Sequence, residues 1–152
     1  MRFPTTNGTF MKHILALLLS LTIAAVAQAA PDEDRYQLTL ATLQKIKAVN
    51  ADLAKAKFKK MDDDDDDNLS AAEFARKLDA DPKVKATLAK HGMTSMDFAL
   101  SAHAIATAGI YLMFEQSMDK KKAASLYASY PKERQANIEL LRKNMHYLDA
   151  PK

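Results

Sequence analysis

From Tyr36 the apolar residues recur mostly at three- and four-residue steps: Tyr36, Leu40, Leu43, Ile46, Val49, Leu53 and Phe58. Lys45, Lys47, Lys55, Lys57 and Lys59 take much of the remaining surface. This period predicts an amphipathic helix from about Asp32 to Lys60, with a wet lysine side. Asp32, Glu33 and Asp34 suit the positive end of its dipole. The six aspartates Asp62 to Asp67 then break the pattern. Consecutive like charges fit neither a helix nor a core, so a loop is expected there.

Behind the loop, Ser70 and Glu73 have the spacing of a capping box, and Ala71, Phe74, Ala75 and Leu78 form a short apolar stripe. Asp81-Pro82 is a second start signal, an N-cap followed by proline at the first helical position. Val84 and Leu88 are expected to face inward, and Gly92 to close that helix. Thr94 and Asp97 cap the next helix. Its stretch from Phe98 to Phe114 runs 17 residues without Lys, Arg, Asp or Glu. A helix that is apolar nearly all round is expected to be buried on most sides. A membrane span is the alternative, but the stretch is short and carries Ser101, His103 and Thr107.

Asp119 to Tyr130 is a weaker helical segment punctuated by Pro131, with Leu126, Tyr127 and Tyr130 as packing residues. The last helix is expected over about Lys132 to Leu148, with Ile138, Leu141, Met145 and Leu148 on one stripe. No sustained period-two alternation occurs, and Gly92 and Gly109 are the only glycines after residue 30. The fold class is therefore all-α, a single-domain bundle of four to six helices spanning residues 30–152.

The first 29 residues read differently. Lys12 and His13 precede a 13-residue apolar run, Ile14 to Val26, and Ala27-Gln28-Ala29 follows as a small-residue cleavage pattern. This is the organisation of a secretory signal peptide, too short in its apolar part to span a bilayer. Residues 1–10 fit no part of it, and a start at Met11 in place of Met1 is one reading that would account for them. An exported chain, periplasmic or extracellular, is expected, with no stable membrane insertion after cleavage.

Charge has to be reckoned after that cleavage. The chain has 22 basic and 19 acidic residues, a net of +3. Arg2 and Lys12 leave with the leader, so 20 basic and 19 acidic residues remain and the net falls to +1. Bases and acids are interleaved, so no nucleic-acid partner is expected. The chain has no cysteine, which excludes disulfides, thiol nucleophiles and zinc-cysteine sites. A zinc-hydrolase histidine spacing, a nucleophile elbow and a phosphate-binding glycine loop are all missing, so no enzyme is indicated.

One segment carries chemistry. Counting Asp62 as the first of twelve positions gives Asp-Asp-Asp-Asp-Asp-Asp-Asn-Leu-Ser-Ala-Ala-Glu. Acid oxygens fall at alternate positions, Asp62, Asp64 and Asp66. Leu69 is the apolar eighth residue, Ser70 the ninth and Glu73 the twelfth. Phe58 and Met61 precede the loop, and Phe74 and Leu78 follow it. The pattern resembles an EF-hand calcium loop. The resemblance implies Ca²⁺ held by Asp62, Asp64, Asp66, Asn68, Ser70 and Glu73. Asp67 stands where that family has glycine, and no second loop accompanies this one. The other reading of the same residues is an acidic, solvated linker whose Ser–Glu pair caps the following helix. Residues 36–148, with the Leu78 to Thr94 turn and the stretch from Asn137 to Asn144, also resemble small exported all-helical bacterial proteins of unassigned function.

Several other residues have structural expectations. His91 precedes Gly92 at a helix C-terminus, where the dipole favours an imidazolium. His103 is expected as a core histidine bonded to a carbonyl. Helical spacing makes Met93, Met96, Met113, Met118 and Met145 core fillers, and Tyr111, Tyr127, Tyr130 and Tyr147 are candidates for a partner surface. Lys120 to Lys122 read as a solvated turn, a weak contact for an anionic membrane on three charges alone. The resulting expectation is a non-enzymatic binding or accessory module with a protein partner of unknown identity.

Overall fold

In the computed structural model, the described residues are 31–56 and 69–147. The expected leader, the aspartates from Asp62 to Asp67, Asn68 and Leu148 lie outside them. Six α-helices and no strand occur among the described residues: α1 Leu40–Lys55, α2 Ala71–Ala80, α3 Pro82–Lys90, α4 Ser95–Glu115, α5 Lys120–Ser129 and α6 Lys132–Asn144. Two 3₁₀ turns, Glu33–Arg35 and Met145–Tyr147, flank this set. The all-α bundle follows from the sequence as expected.

The first helix begins later than its periodicity suggests. Asp32 caps only the short 3₁₀ turn, and Tyr36 is already extended. Thr39 is the N-cap of α1, its hydroxyl accepting the Thr42 N–H at 3.1 Å. The reason is tertiary. Asn137 of α6 offers its amide to this segment, accepting the Leu38 N–H at 2.7 Å and donating to the Tyr36 carbonyl at 2.8 Å. Helical residues at 36 and 38 would point these groups along the axis, so the extended conformation wins. Leu43, Ile46 and Val49 form the buried stripe of α1, while Leu40 stays exposed.

The middle of the chain behaves as its caps dictate. The Ser70–Glu73 and Thr94–Asp97 capping boxes both form, opening α2 and α4. Asp81 ends α2 and caps α3, with Pro82 at the first position. Gly92 takes φ +63°, a left-handed conformation that favours glycine. Its N–H bonds the Ala89 carbonyl at 2.9 Å, and the Met93 N–H bonds that of Leu88 at 3.0 Å. This paired closure is a Schellman motif, and Leu88 and Met93 share one apolar cluster beyond it.

Helix α4 is the axis of the bundle, with its broadest contacts to α2 and α6. Its inward face is made largely of small residues, Ala99, Ser101, Ala104 and Ala108, ending in Tyr111. Small side chains let the neighbouring helices approach closely. One apolar cluster joins Leu38, Leu43, Ala104, Ala108, Tyr111, Ile138 and Leu141, and another joins Ile46, Val49, Leu78, Val84, Leu88 and Met93.

The expectation that Phe98 to Phe114 is buried on most sides does not hold. Ile110, Met113 and Phe114 are exposed, Met113 to 76%. Among the described residues, no neighbour covers the side of the last two turns of α4 that carries Ile110, Met113 and Phe114. The closing stripe also changes. The last turn tightens to 3₁₀ at Met145–Tyr147, and Met145 is 48% exposed rather than on a buried stripe.

Candidate functional site

The expected calcium loop leads into the N-terminus of α2, where its last two expected ligands, Ser70 and Glu73, lie. The Ser70 hydroxyl accepts the Glu73 N–H at 3.3 Å. In return the Glu73 carboxylate accepts from the Ser70 N–H at 3.0 Å and from its hydroxyl at 2.7 Å. These bonds hold the Glu73 carboxyl below its ordinary range. Both residues are brought together, while Asp62, Asp64, Asp66 and Asn68 lie outside the described residues.

A third carboxylate joins them that the sequence pattern did not single out. Glu33 accepts the Ala71 N–H at 2.6 Å, so it too binds an orphan donor at the start of α2. Its other oxygen lies 3.6 Å from His103 Nδ1 on α4. His103 is therefore a partly exposed neighbour of an acid, not a core histidine bonded to a carbonyl. The signal for Glu33 was faint, because thirty-eight residues separate it from Ala71. Leu69 and Phe74 line a depression of about 220 Å³ with Ala99, Ala102, His103 and Ala106. Leu69 thus turns toward α4.

The donors present suit a hard cation. Glu73 is an exposed carboxylate and Ser70 a hydroxyl, on a helix whose other face is buried against α4. A Ca²⁺ ion drawing on both Glu73 oxygens competes with Ser70 for one of them. Among the described residues alone, no group of three His, Asp or Glu is placed to hold a metal ion.

Two further polar constellations stand apart. Asp52 of α1 accepts from Lys90 Nζ at 2.7 Å and lies 2.9 Å from His91 Nε2. The hydrogen bond from Lys90, then that from His91, brings the Asp52 carboxyl down to about 2. His91 sits at the C-terminus of α3, where the sequence placed it, and its polar partner is this carboxylate. The second constellation lines a cleft of about 540 Å³ between α4, α5 and α6. Arg142 grips Glu115 with one nitrogen at 2.7 and 2.8 Å from its two oxygens, and also bonds Glu139. The Tyr111 hydroxyl reaches both Glu115 and the Ala123 carbonyl at 3.2 Å. Burial, then the nearby carboxylates, raise the Tyr111 and Tyr127 phenols above their ordinary range. Tyr111 is buried, contrary to the expectation of a surface tyrosine.

Compared with known proteins, the chain matches no family model, no curated protein and no solved structure. The functional reading therefore rests on residue chemistry.

Proposed function

We propose that this chain is an exported, non-enzymatic helical binding or accessory protein with a single EF-hand-like Ca²⁺ loop, Asp62 to Glu73. The observation that carries this reading is the seating of half-buried Ser70 and exposed Glu73 at the start of α2. Beyond a run of six aspartates and two intervening residues, the chain presents a hydroxyl and then a carboxylate at the start of a helix anchored to α4. Calcium offsets the repulsion within the acid run and fixes the chain's entry into α2. Its affinity belongs at the weak extracellular end, on the order of 10⁻⁴ to 10⁻³ M. The role is structural, since no catalytic constellation accompanies the loop in the sequence.

The capping box supports a second reading. Glu73 already has a use in binding Ser70, so the acid run serves as a solvated linker in a helical interaction protein. Glu73→Gln separates the two. Glutamine retains the cap but loses the charge and one of the two carboxylate oxygens. Thermal unfolding of parent and variant is followed by circular dichroism with millimolar Ca²⁺, with Mg²⁺ and with chelator. The calcium reading expects a Ca²⁺-specific rise in Tm for the parent that the variant lacks. Equal melts in all three solutions leave the linker reading.

A further inference from the structure

We propose that the end of the bundle where α4 turns into α5 docks on an anionic lipid surface. Two independent features meet there. The first is apolar. Ile110, Met113 and Phe114 lie within one sector of α4, exposed to 54%, 76% and 57%. Met145 joins them, lining a cleft with Gly109, Leu112 and Met113. Helix α4 is long and apolar enough by composition to cross a membrane, yet only a third of its most apolar stretch is buried. Its inner face is committed to the bundle core, so a lipid contact here is peripheral rather than spanning.

The second feature is charge. Residues 31–56 carry four acids and four bases, and residues 69–115 carry five of each. Residues 116–147 carry three acids and seven bases. The net +4 of the described residues falls on this last segment in sequence; at the turn itself Arg142 is taken up by Glu115 and Glu139, and the excess there is the exposed Lys120, Lys121 and Lys122 against Asp119. Three lysines alone attract an anionic surface weakly. The uncovered apolar patch beside them changes that balance.

The two features are adjacent through a tight turn. The Ser117 and Met118 N–H groups bond back to the Phe114 carbonyl at 3.0 and 3.1 Å. Asp119 then caps α5 by accepting the Lys121 and Lys122 N–H groups. Gln116 lines both the cleft that holds Lys120 and the cleft that holds Met113 and Met145. Lipid phosphates meet the ammonium groups, while the Phe114 ring and the Met113 thioether enter the headgroup–acyl boundary. The charge excess selects an anionic bilayer over an apolar protein groove.

The test uses the full chain, whose lack of cysteine allows clean single-site labelling. An environment-sensitive thiol dye is placed at Met113→Cys, and as a control at Ala86→Cys on the exposed side of α3. Vesicles are an equimolar mixture of phosphatidylglycerol and phosphatidylcholine, or phosphatidylcholine alone. The expected result is a blue shift at position 113 on the mixed vesicles only, weakened by salt, with no shift at position 86. Neutralising all three lysines in Lys120→Gln, Lys121→Gln, Lys122→Gln should weaken partitioning on the order of a hundred-fold. An unmoved label at 113 overturns the proposal, and so does anchoring through the leader, which leaves both labels in water. Equal shifts on neutral vesicles, or indifference to the lysines, also overturn it. A shift that grows with protein concentration without lipid assigns the patch to a second copy of the chain instead.

Discussion

The Asn137 amide oxygen accepts the Leu38 N–H at 2.7 Å, joining residues ninety-nine apart in sequence. Its amide nitrogen donates to the Tyr36 carbonyl at 2.8 Å, so one side chain satisfies the backbone on both sides of Gln37. Asn137 is only 2% exposed. This pair holds the N-terminal segment in its extended form and ties it to α6.

Asn137→Ala should therefore destabilise the fold by about 2–3 kcal/mol, since it strands a buried donor and acceptor as well as removing two bonds. Urea unfolding measures the loss. Amide exchange locates it, with Leu38 expected to lose protection before the residues of α3.

This contact also shows what the sequence does and does not disclose. Caps are local chemistry, and Ser70–Glu73, Asp81-Pro82, Gly92 and Thr94–Asp97 all stand where their spacing puts them. Stripes such as Leu43, Ile46 and Val49 are equally legible. The start of α1 was not, because the partner that stops the helix lies on α6. The burial of α4 was overestimated for a related reason. Composition reports that a helix is apolar but not how many neighbours reach it. At the candidate site, Ser70 and Glu73 were found by motif spacing. Glu33 was missed because no periodicity links it to α2.

The Asp52 cluster predicts an acid dependence. Its carboxyl falls from an unfolded value near 3.8 to about 2, so it stabilises the fold above the unfolded value. That contribution disappears as pH falls through about 2. Asp52→Asn should flatten the stability–pH curve across that window and lower stability at neutral pH. Urea midpoints collected at successive pH values measure both effects. An unchanged curve would mean that the bonds from Lys90 and His91 do not persist in solution.

The phenols of Tyr111 and Tyr127 predict an alkaline counterpart. Tyr111 and Tyr127 are raised by burial first and by carboxylates second, while the nearby Arg142 pulls both the other way. Their neutral forms stabilise the fold below the unfolded value of about 10, and this is lost as pH rises through the raised folded values. Arg142→Met leaves Glu115 and Glu139 uncompensated. Phenolate absorbance should therefore show both tyrosines ionising at still higher pH, provided the fold is intact by circular dichroism. Earlier ionisation would indicate that α5 has lifted and let water reach the rings.

At the start of α2, Ser70 and Glu73 act on each other, and the two substitutions there should differ even without calcium. Ser70→Ala removes the acceptor of the Glu73 N–H and one donor to the Glu73 carboxylate. It is expected to cost about 1 kcal/mol in chelator, the usual loss for an N-cap. Glu73→Gln keeps a side-chain acceptor for the Ser70 N–H and loses mainly the favourable charge at the helix N-terminus, a few tenths of a kcal/mol. Adding calcium should widen the gap between parent and Glu73→Gln by the binding contribution, while Ser70→Ala, with Glu73 still charged, keeps part of the response. The order of the three urea midpoints, taken in chelator and again in millimolar Ca²⁺, separates the cap from the ion. If calcium shifts all three equally, the ion acts through other groups, and Glu73 belongs to the helix cap alone.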